Sequence, residues 1–431
     1  MTNRCDRYWH SGMTANNLSI KCRNVFVKGV IDCMRVVVAV EHRFVRTPDG
    51  AVWTQTMFAH SYWQRYFEVF DEILAVARVR DVPEVPSDWK RADGERVSFA
   101  AIPYYIGPWQ YLFKARQVQQ AARKAVRTED AVIFYLSSQI SSCIEPMLRR
   151  TGHPYGIYVI ADPYDVFAPG SVKSPLRPFF RWWSPRRLRD QCLNASAAAY
   201  ITEKALQRRY PPNPGVFTAH YSMTELPDSA FAATPRSGFE EKQSLTLITL
   251  ASLAQLYKAP DVLIDAVAVC VAEGLDIKLV LVGDGQYRQK LEARAQGHGL
   301  GDRICFKGQL TAGDAVRNQL DLADIFVLPS HQEGLPRAMV EAMARALPCI
   351  GSTVGGIPEL LPPEDLVPPG NVAALASKIR EVTTDPERMA RMSARNLEKA
   401  KEYRDEALRE QRNEFYRYVR EMTELWLKQK N

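Results

Sequence analysis

The sequence predicts an α/β chain organised as two doubly wound, parallel-sheet domains. Three observations carry this reading. From residue 34 onward, short apolar runs rich in β-branched residues alternate with helix-length segments, the pattern of a parallel sheet covered by helices. A polar, Pro- and Ser-bearing stretch, Pro227 to Gln243, interrupts the alternation, and Leu245 restarts it. The 431 residues suffice for two domains of ordinary size, each with its own core.

Residues 1–33 are polar and mixed and read as an N-terminal extension. Arg35-Val36-Val37-Val38-Ala39-Val40 is the first buried strand expected, followed by Ala131–Leu136, Ile157–Ile160 and Ala197–Ile201. In the second half the expected strands are Leu245–Leu250, Ile277–Val282, Ile304–Phe306, Ile325–Leu328 and Pro348–Gly351. Helical patterns separate them at Asp261–Glu273, Tyr287–Gln296, Ala315–Leu322 and Pro336–Ala346. Pro386 to Lys430 is helical in composition, with acidic and basic residues interspersed.

Bulk properties narrow the function classes. A hydrophobic content of 46% with 24% charged residues is that of a globular chain. No run reaches the eighteen or so apolar residues of a spanning helix, and no secretory signal is legible. The net charge of +7 suits an anionic ligand or surface and is too dispersed to argue for nucleic acid. The eight cysteines lack paired metal-ligand spacing. Cys270, Cys305 and Cys349 sit among apolar residues and are expected to be reduced core thiols.

The richest segment is His331-Gln332-Glu333-Gly334-Leu335-Pro336-Arg337-Ala338-Met339-Val340-Glu341, which follows a short strand and opens a helix. Gly334 lets the backbone approach a ligand, and Pro336 suits the start of a helix, where its missing N–H is no loss. A helix start with free amides accepts an anion. Glu333 before it and Glu341 within it can accept hydrogen bonds from hydroxyls around that anion. One acid for a sugar, amides for phosphates and one acid for a ribose suit a nucleotide-activated sugar.

With its seven residues between glutamates, this segment resembles the E-x7-E segment of GT-B glycosyltransferases of family 4 type (glycosyltransferase group 1). The resemblance covers roughly Leu245 to Val382 and, more loosely, the chain from Met34. It implies a GT-B fold of two Rossmann-like domains facing a cleft: an N-terminal acceptor-binding domain over residues 34–235, a C-terminal nucleotide-sugar-binding domain over 236–405, and a helix over 406–431 packing back on the first. It implies that Glu333 contacts the transferred sugar, Glu341 the donor ribose, and Gly334 and Leu335 the donor as well. In the loop Ala251 to Lys258, Lys258 matches a lysine directed at the donor diphosphate. Ser252 stands where the family usually carries an arginine, leaving diphosphate neutralisation to Lys258 and backbone amides. Gly283 and Gly285 form the turn passed by base and ribose. The turn is not a dinucleotide fingerprint, because position 288 is arginine. Gly355-Gly356 match a further family loop, and Glu359 beside them reads as a helix-start or structural carboxylate.

On the acceptor side, Gly50 in Arg46–Gly50 is the single glycine of the loop that follows the first strand, where the family carries a glycine-rich one. Asp162 stands near the expected anomeric carbon as a catalytic candidate, and a helix-capping or turn role fits it equally. Lys173 to Arg189 interleaves basic and aromatic residues. It suits an anionic membrane interface or a lipid-linked acceptor, and equally an ordinary amphipathic segment packed on its own domain. Tyr104 to Trp109 suits either an acceptor groove or a core.

The function expected is therefore a retaining, metal-independent glycosyltransferase with no cofactor, the nucleotide sugar being a substrate. The donor is a UDP-sugar by default of the resemblance. The acceptor is a glycan, a lipid-linked sugar or a small molecule, in surface polysaccharide or glycoconjugate synthesis. The expected location is cytoplasmic, at or near the inner membrane face. An inactive nucleotide-sugar-binding or scaffolding protein is the competing reading. A nicotinamide-dependent dehydrogenase is disfavoured by the missing glycine fingerprint.

Overall fold

The computed structural model describes residues 33–168, 174–224 and 226–430. Residues 1–32, most of the expected extension, lie outside it, as does Lys173.

The first sheet comprises β1 (Arg35–Arg46), β2 (Val52–Thr54), β3 (Glu72–Asp81), β4 (Lys90–Arg91), β5 (Val97–Ile102), β6 (Ala131–Leu136), β7 (Gly156–Val159), β8 (Ala197–Tyr200) and β9 (Phe217–His220). Seven strands run parallel in the order β5-β3-β1-β6-β7-β8-β9, and β2 and β4 extend the end of β1 antiparallel. The second sheet comprises β10 (Leu245–Leu250), β11 (Ile277–Val282), β12 (Ile304–Gly308), β13 (Ile325–Leu328), β14 (Cys349–Ser352) and β15 (Leu366–Val367). All six are parallel, in the order β12-β11-β10-β13-β14-β15. In each sheet the order reverses beside the first strand, between β1 and β6 and between β10 and β13. Such a switch point leaves a crevice at the carboxyl ends of the strands.

The central strands read as continuous apolar runs because helices cover both faces. Val36 to Val40, Ala131 to Leu136 and Ile325 to Leu328 are all buried. Each sheet has one apolar cluster on each face, so each carries its own core. Cys270 and Cys349 are buried thiols, as the sequence suggests. Cys305 is exposed, because β12 is an edge strand with one face open to solvent.

Further features differ from the sequence reading, among them strands β3, β5, β9 and β15, which it does not name. The first strand does not end at Val40. It shifts register between Ala39 and Arg43, continues to Arg46 and turns into a hairpin with β2. The region Pro227–Gln243 is not featureless, since it carries short 3-10 turns at Asp228–Ala230 and Phe239–Glu241.

The chain crosses between the two sheets twice, and the crossings are bonded to each other. Leu226 N donates to Tyr403 O at 3.2 Å, and Asp405 N donates to Leu226 O at 3.2 Å. The helix Pro386–Ala400 packs on the second sheet's side. Asp405–Lys430 then returns to the first, burying Leu408, Phe415, Tyr416 and Val419 in its core. Tyr416 stacks on Tyr66 with ring centroids 4.4 Å apart, and Trp426 meets His153 at 4.5 Å.

Gly156 on β7 permits this docking. A Cβ there would lie 2.6 Å from Val419 Cγ2 and 2.9 Å from Phe415 Cζ. Alanine elsewhere in a strand is neutral or slightly stabilising through the unfolded chain. At this position Gly156→Ala is expected to lower stability by about 1–3 kcal/mol through overpacking, and Val419→Ala in the same chain is expected to restore part of the loss. Urea denaturation of the two proteins measures both effects.

Candidate functional site

The C-terminal switch point gathers three loops. The loop after β10 runs from Ala251 to Ala259, the loop after β11 holds Gly283-Asp284-Gly285, and the loop after β13 holds Ser330 to Pro336. His331 N donates to Tyr257 O at 2.7 Å, which ties the first to the third. That tie sets Lys258 against Glu333, with Nζ to Oε1 at 2.5 Å. Ser330 Oγ donates to the same oxygen at 2.7 Å. The Lys258 and Glu333 side chains are only 14% and 7% exposed, so the pair is largely withdrawn from water.

The glycines of the second loop serve close backbone contact. A Cβ on Gly283 would lie 1.9 Å from Ala251 O, and one on Gly285 would lie 2.1 Å from Ala254 N. Both have positive φ, at 136° and 154°. Leu253 N donates to Asp284 O at 2.9 Å across this contact. The glycines thus fix the loop that carries Ser252 and Lys258. Ser252 is exposed, and its hydroxyl makes only a long 3.4 Å contact with Ala254 N.

At Gly334 the two domains approach closely, since a Cβ there would lie 2.9 Å from Ile160 O in the first domain. Behind it, Gly356 N donates to Gly334 O at 2.6 Å, and a Cβ on Gly355 would lie 2.0 Å from Glu333 O. Gly355 and Gly356 therefore support the Glu333–Gly334 backbone from below. Leu335 is buried in the core with Met339 and Ile357, so only its backbone can face a ligand. The helix begins at Arg337, one residue later than the sequence suggests, and Pro336 flanks it. Glu341 lies on this helix and pairs with Arg337 at 2.8 Å.

Across from Glu333, the first domain contributes Asp162 and Asp165. With Tyr257, Lys258, Glu333 and Gly334 they line a cavity of about 270 Å³ between the domains. Asp162 caps the short helix Pro163–Val166, accepting from Tyr164 N at 2.9 Å, and also accepts from the Arg209 guanidinium and the Tyr210 hydroxyl. The capping role is thus filled, and three donors engage the carboxylate. Asp165 was missed in the sequence and is less committed, with Arg209 at 3.6 Å. Burial, reinforced by the Asp162 carboxylate, pushes its carboxyl above the usual 3.8 despite the pull of Arg209. The signal available in the sequence was its place in the first turn after a capping Asp.

Glu359 is a structural carboxylate at a helix start, but the helix belongs to the other domain. It accepts from Glu203 N, Lys204 N and Ala205 N at 2.6–2.9 Å, capping Ala205–Arg209. Arg209 and the next residue, Tyr210, are the two that hold Asp162. A carboxylate of the second domain thus fixes the element that positions a carboxylate of the first.

Gly50 is not brought to this cleft. It sits at the tip of the β1–β2 hairpin, in a separate surface hollow with Arg46, Asp81 and Pro83, because β1 runs on to Arg46. At the N-terminal switch point the chain instead places Glu41. Its carboxylate accepts from Ser138 Oγ, Gln139 N and Ile140 N at the start of the helix Gln139–Thr151, and from Tyr105 OH at 2.9 Å. The anion position at that helix start is occupied from within. Tyr105 is therefore core, whereas Trp109 is exposed.

Comparison with known proteins bears on the family and the fold. Residues 233–399 match the family model of glycosyl transferases, group 1. Protein CapJ from Staphylococcus aureus is 27% identical over 323 residues, 75% of this chain and 80% of CapJ. Further curated relatives, bacterial and plant glycosyltransferases among them, align over only 22–59% of their own length. Among solved structures, sucrose-phosphate synthase from Thermosynechococcus elongatus superposes with a TM-score of 0.65 at 18% identity, covering 90% of this chain and 99% of that one. Anabaena HepE, solved with UDP and glucose, gives 0.60 at 16% identity, covering 88% and 98%. The fold is GT-B: two Rossmann-like domains of parallel sheet facing a cleft.

Two outcomes follow from the site's electrostatics. Lys258→Met strands the Glu333 carboxylate and is expected to cost about 2–3 kcal/mol, whereas Lys258→Met with Glu333→Gln costs less than the two single changes added together. A double-mutant cycle in urea reads the coupling. Because the Asp165 pKa is raised above 3.8, the folded chain binds that proton more tightly than the unfolded one. The resulting stability is present at low pH and falls away as pH rises through the carboxylate range. Asp165→Asn is therefore expected to raise the Tm at pH 7, with the gap closing below about pH 4.

Proposed function

We propose that this chain is a retaining glycosyltransferase that moves a sugar from a nucleoside-diphosphate donor, UDP-linked by preference, to a glycan acceptor in polysaccharide synthesis in the cytoplasm. The observation that carries the reading is the Lys258–Glu333–Ser330 constellation at the C-terminal switch point, facing the first domain across a cleft. The group 1 match over the same residues and the UDP and glucose of Anabaena HepE support it.

In this reading the diphosphate lies against Lys258 and the amides at the start of Arg337–Ala344, where a helix N-terminus favours negative charge. Glu333 accepts a hydrogen bond from the transferred sugar, and Glu341 one from the ribose. The bond between the anomeric carbon and the diphosphate oxygen breaks, and the acceptor oxygen bonds to that carbon on the same face. The acceptor's proton passes to the departing diphosphate. No strong protein base and no metal is required, and rate comes from orientation and from stabilising the leaving charge. Asp162, held by Arg209 and Tyr210, positions the acceptor side of the cleft.

Nucleotide release by the full chain from UDP-, GDP- and ADP-sugars, with and without acceptor extract, tests this. Release from one donor is expected, and Glu333→Gln is expected to lower turnover by about 100-fold or more while UDP affinity changes little. Unchanged turnover in that variant overturns the assignment. Ser252 in the arginine position favours one competing reading, a protein that binds nucleotide sugar without turnover, and donor binding with no release in any acceptor extract would establish it.

A further inference from the structure

Beside the cleft lies a second concavity that the donor reading does not use. Arg181, Arg186 and Arg189 on the helix Arg177–Asn194, together with Arg209, line a groove of about 560 Å³ floored by Tyr164 and Trp182. Its size is that of a small-molecule site. Four guanidiniums converge there. Arg181 and Arg209 both lie over the Tyr164 ring, at 4.1 and 5.1 Å from its centroid, and Arg186 lies over Trp182 at 4.6 Å.

The charge is only partly neutralised from within, by the cleft aspartates: Arg181 acts on Asp165 through space without a direct pair. Arg209 meets Asp162 and Asp165, but among the described residues no ion pair joins Arg181, Arg186 or Arg189 to a carboxylate. Arg186 donates only to Trp182 O and Arg189 only to Arg209 O, while the buried Nε of Arg181 has no partner. The other two basic residues of this helix differ: Arg187 turns inward to Ser142 and Glu145, and Arg177 does not line the groove. A uniformly basic surface helix would not sort its arginines this way. Clustered guanidiniums repel one another, and a multiply charged anion bound by their paired N–H groups relieves that repulsion. Groove and cleft are neighbours: Arg209, which lines the groove, touches the Asp165 carboxylate that lines the cleft.

We propose that this groove is an acceptor subsite for a phosphate or diphosphate group, so that the chain selects a phosphorylated sugar acceptor and holds its anion on Arg181, Arg186, Arg189 and Arg209 while the sugar hydroxyl enters the cleft. The proposal rests on the glycosyltransferase reading for what is transferred, but the anion site itself is testable alone.

The test is calorimetric titration of inorganic pyrophosphate into the full chain and into Arg181→Gln/Arg186→Gln, each with and without saturating UDP. Pyrophosphate is expected to bind in the presence of UDP and to bind about tenfold or more weakly to the variant, with UDP affinity unchanged. Equal affinity in the two proteins, or complete displacement by UDP, overturns the subsite. Cosedimentation with phosphatidylglycerol vesicles separates a membrane surface from an acceptor site. Vesicle binding lost in the variant while pyrophosphate affinity stays the same means that the arginines meet lipid, and overturns the proposal. Transfer to a soluble sugar 1-phosphate and to a polyprenyl-diphosphate sugar in micelles separates the two sources of the anion. For the true acceptor the variant raises KM about tenfold with kcat unchanged. Failure of the glycosyltransferase reading shows as absence of UDP binding and of transfer, and the pyrophosphate comparison still decides the anion site.

Discussion

The cleft depends on how closely backbone can approach backbone around Gly334. The chain there lies against Ile160 O of the other domain on one side and against Gly355 and Gly356 of its own on the other. Any side chain at these three positions would push the Glu333 loop away from one neighbour or the other. Lys258 and Ser330 can then reach Glu333 without strain, because the loop that bears the carboxylate is already fixed by main-chain contacts. The second domain's grip on the first runs through the same region. Glu359 follows Gly355-Gly356 by a few residues and caps the helix whose end holds Asp162. The Glu333 loop and the Asp162 side of the cleft are therefore tied by direct hydrogen bonds between the domains.

Much of this was legible in the sequence, and the reasons are physical. Buried parallel strands read as continuous apolar runs, so the second domain's strands and helices fall within a residue or two of their expected bounds. Close-approach glycines announce themselves, because no other residue serves there, and the family resemblance then gave Gly283, Gly285, Gly334 and Gly355 a place. What the sequence concealed were contacts distant along the chain. Nothing local in Glu41 indicates that it fills the helix start at Gln139, nearly a hundred residues on. That substitution of an internal carboxylate for an external anion also explains why one loop glycine suffices near β1. Its hairpin carries Gly50 to a separate hollow, and no close backbone approach to a phosphate is left for it to make. Asp162 was visible as a polar residue after a strand, but its partners Arg209 and Tyr210 come from another element and could not be inferred from spacing.

The distribution of charge separates structural from available groups. In and around the cleft most ionisable side chains are committed: Lys258 to Glu333 and Asp162 to Arg209 in its lining, and nearby Glu341 to Arg337 and Glu359 to three amides. Commitment holds these groups in place at low cost in ordering when a ligand arrives, since the side-chain entropy has already been lost on folding. In the proposed reading a donor diphosphate would share Lys258 with Glu333, and Ser252 would bring no second charge. The binding energy for that diphosphate would then depend heavily on backbone amides, which distinguish phosphate from carboxylate by geometry more than by charge.

The groove lined by Arg181, Arg186, Arg189 and Arg209 inverts that arrangement. Arg181 and Arg186 sit on aromatic rings and make no ion pair with a carboxylate among the described residues, so most of their N–H groups stay available. A cation–π contact orients an arginine without consuming its donors, whereas an ion pair does both. Packing arginine on Tyr164 and Trp182 is therefore the means by which a folded surface holds positive charge in readiness without neutralising it. Arg209 belongs to both arrangements, bonded to Asp162 on the cleft side and laid over Tyr164 on the groove side. An anion drawn toward Arg209 in the groove weakens its hold on the two aspartates, and a stronger hold by the aspartates weakens its pull on the anion. On the proposed subsite, occupancy of the groove would be linked to the ionisation of Asp165 through Arg209, and through Arg181 beside it.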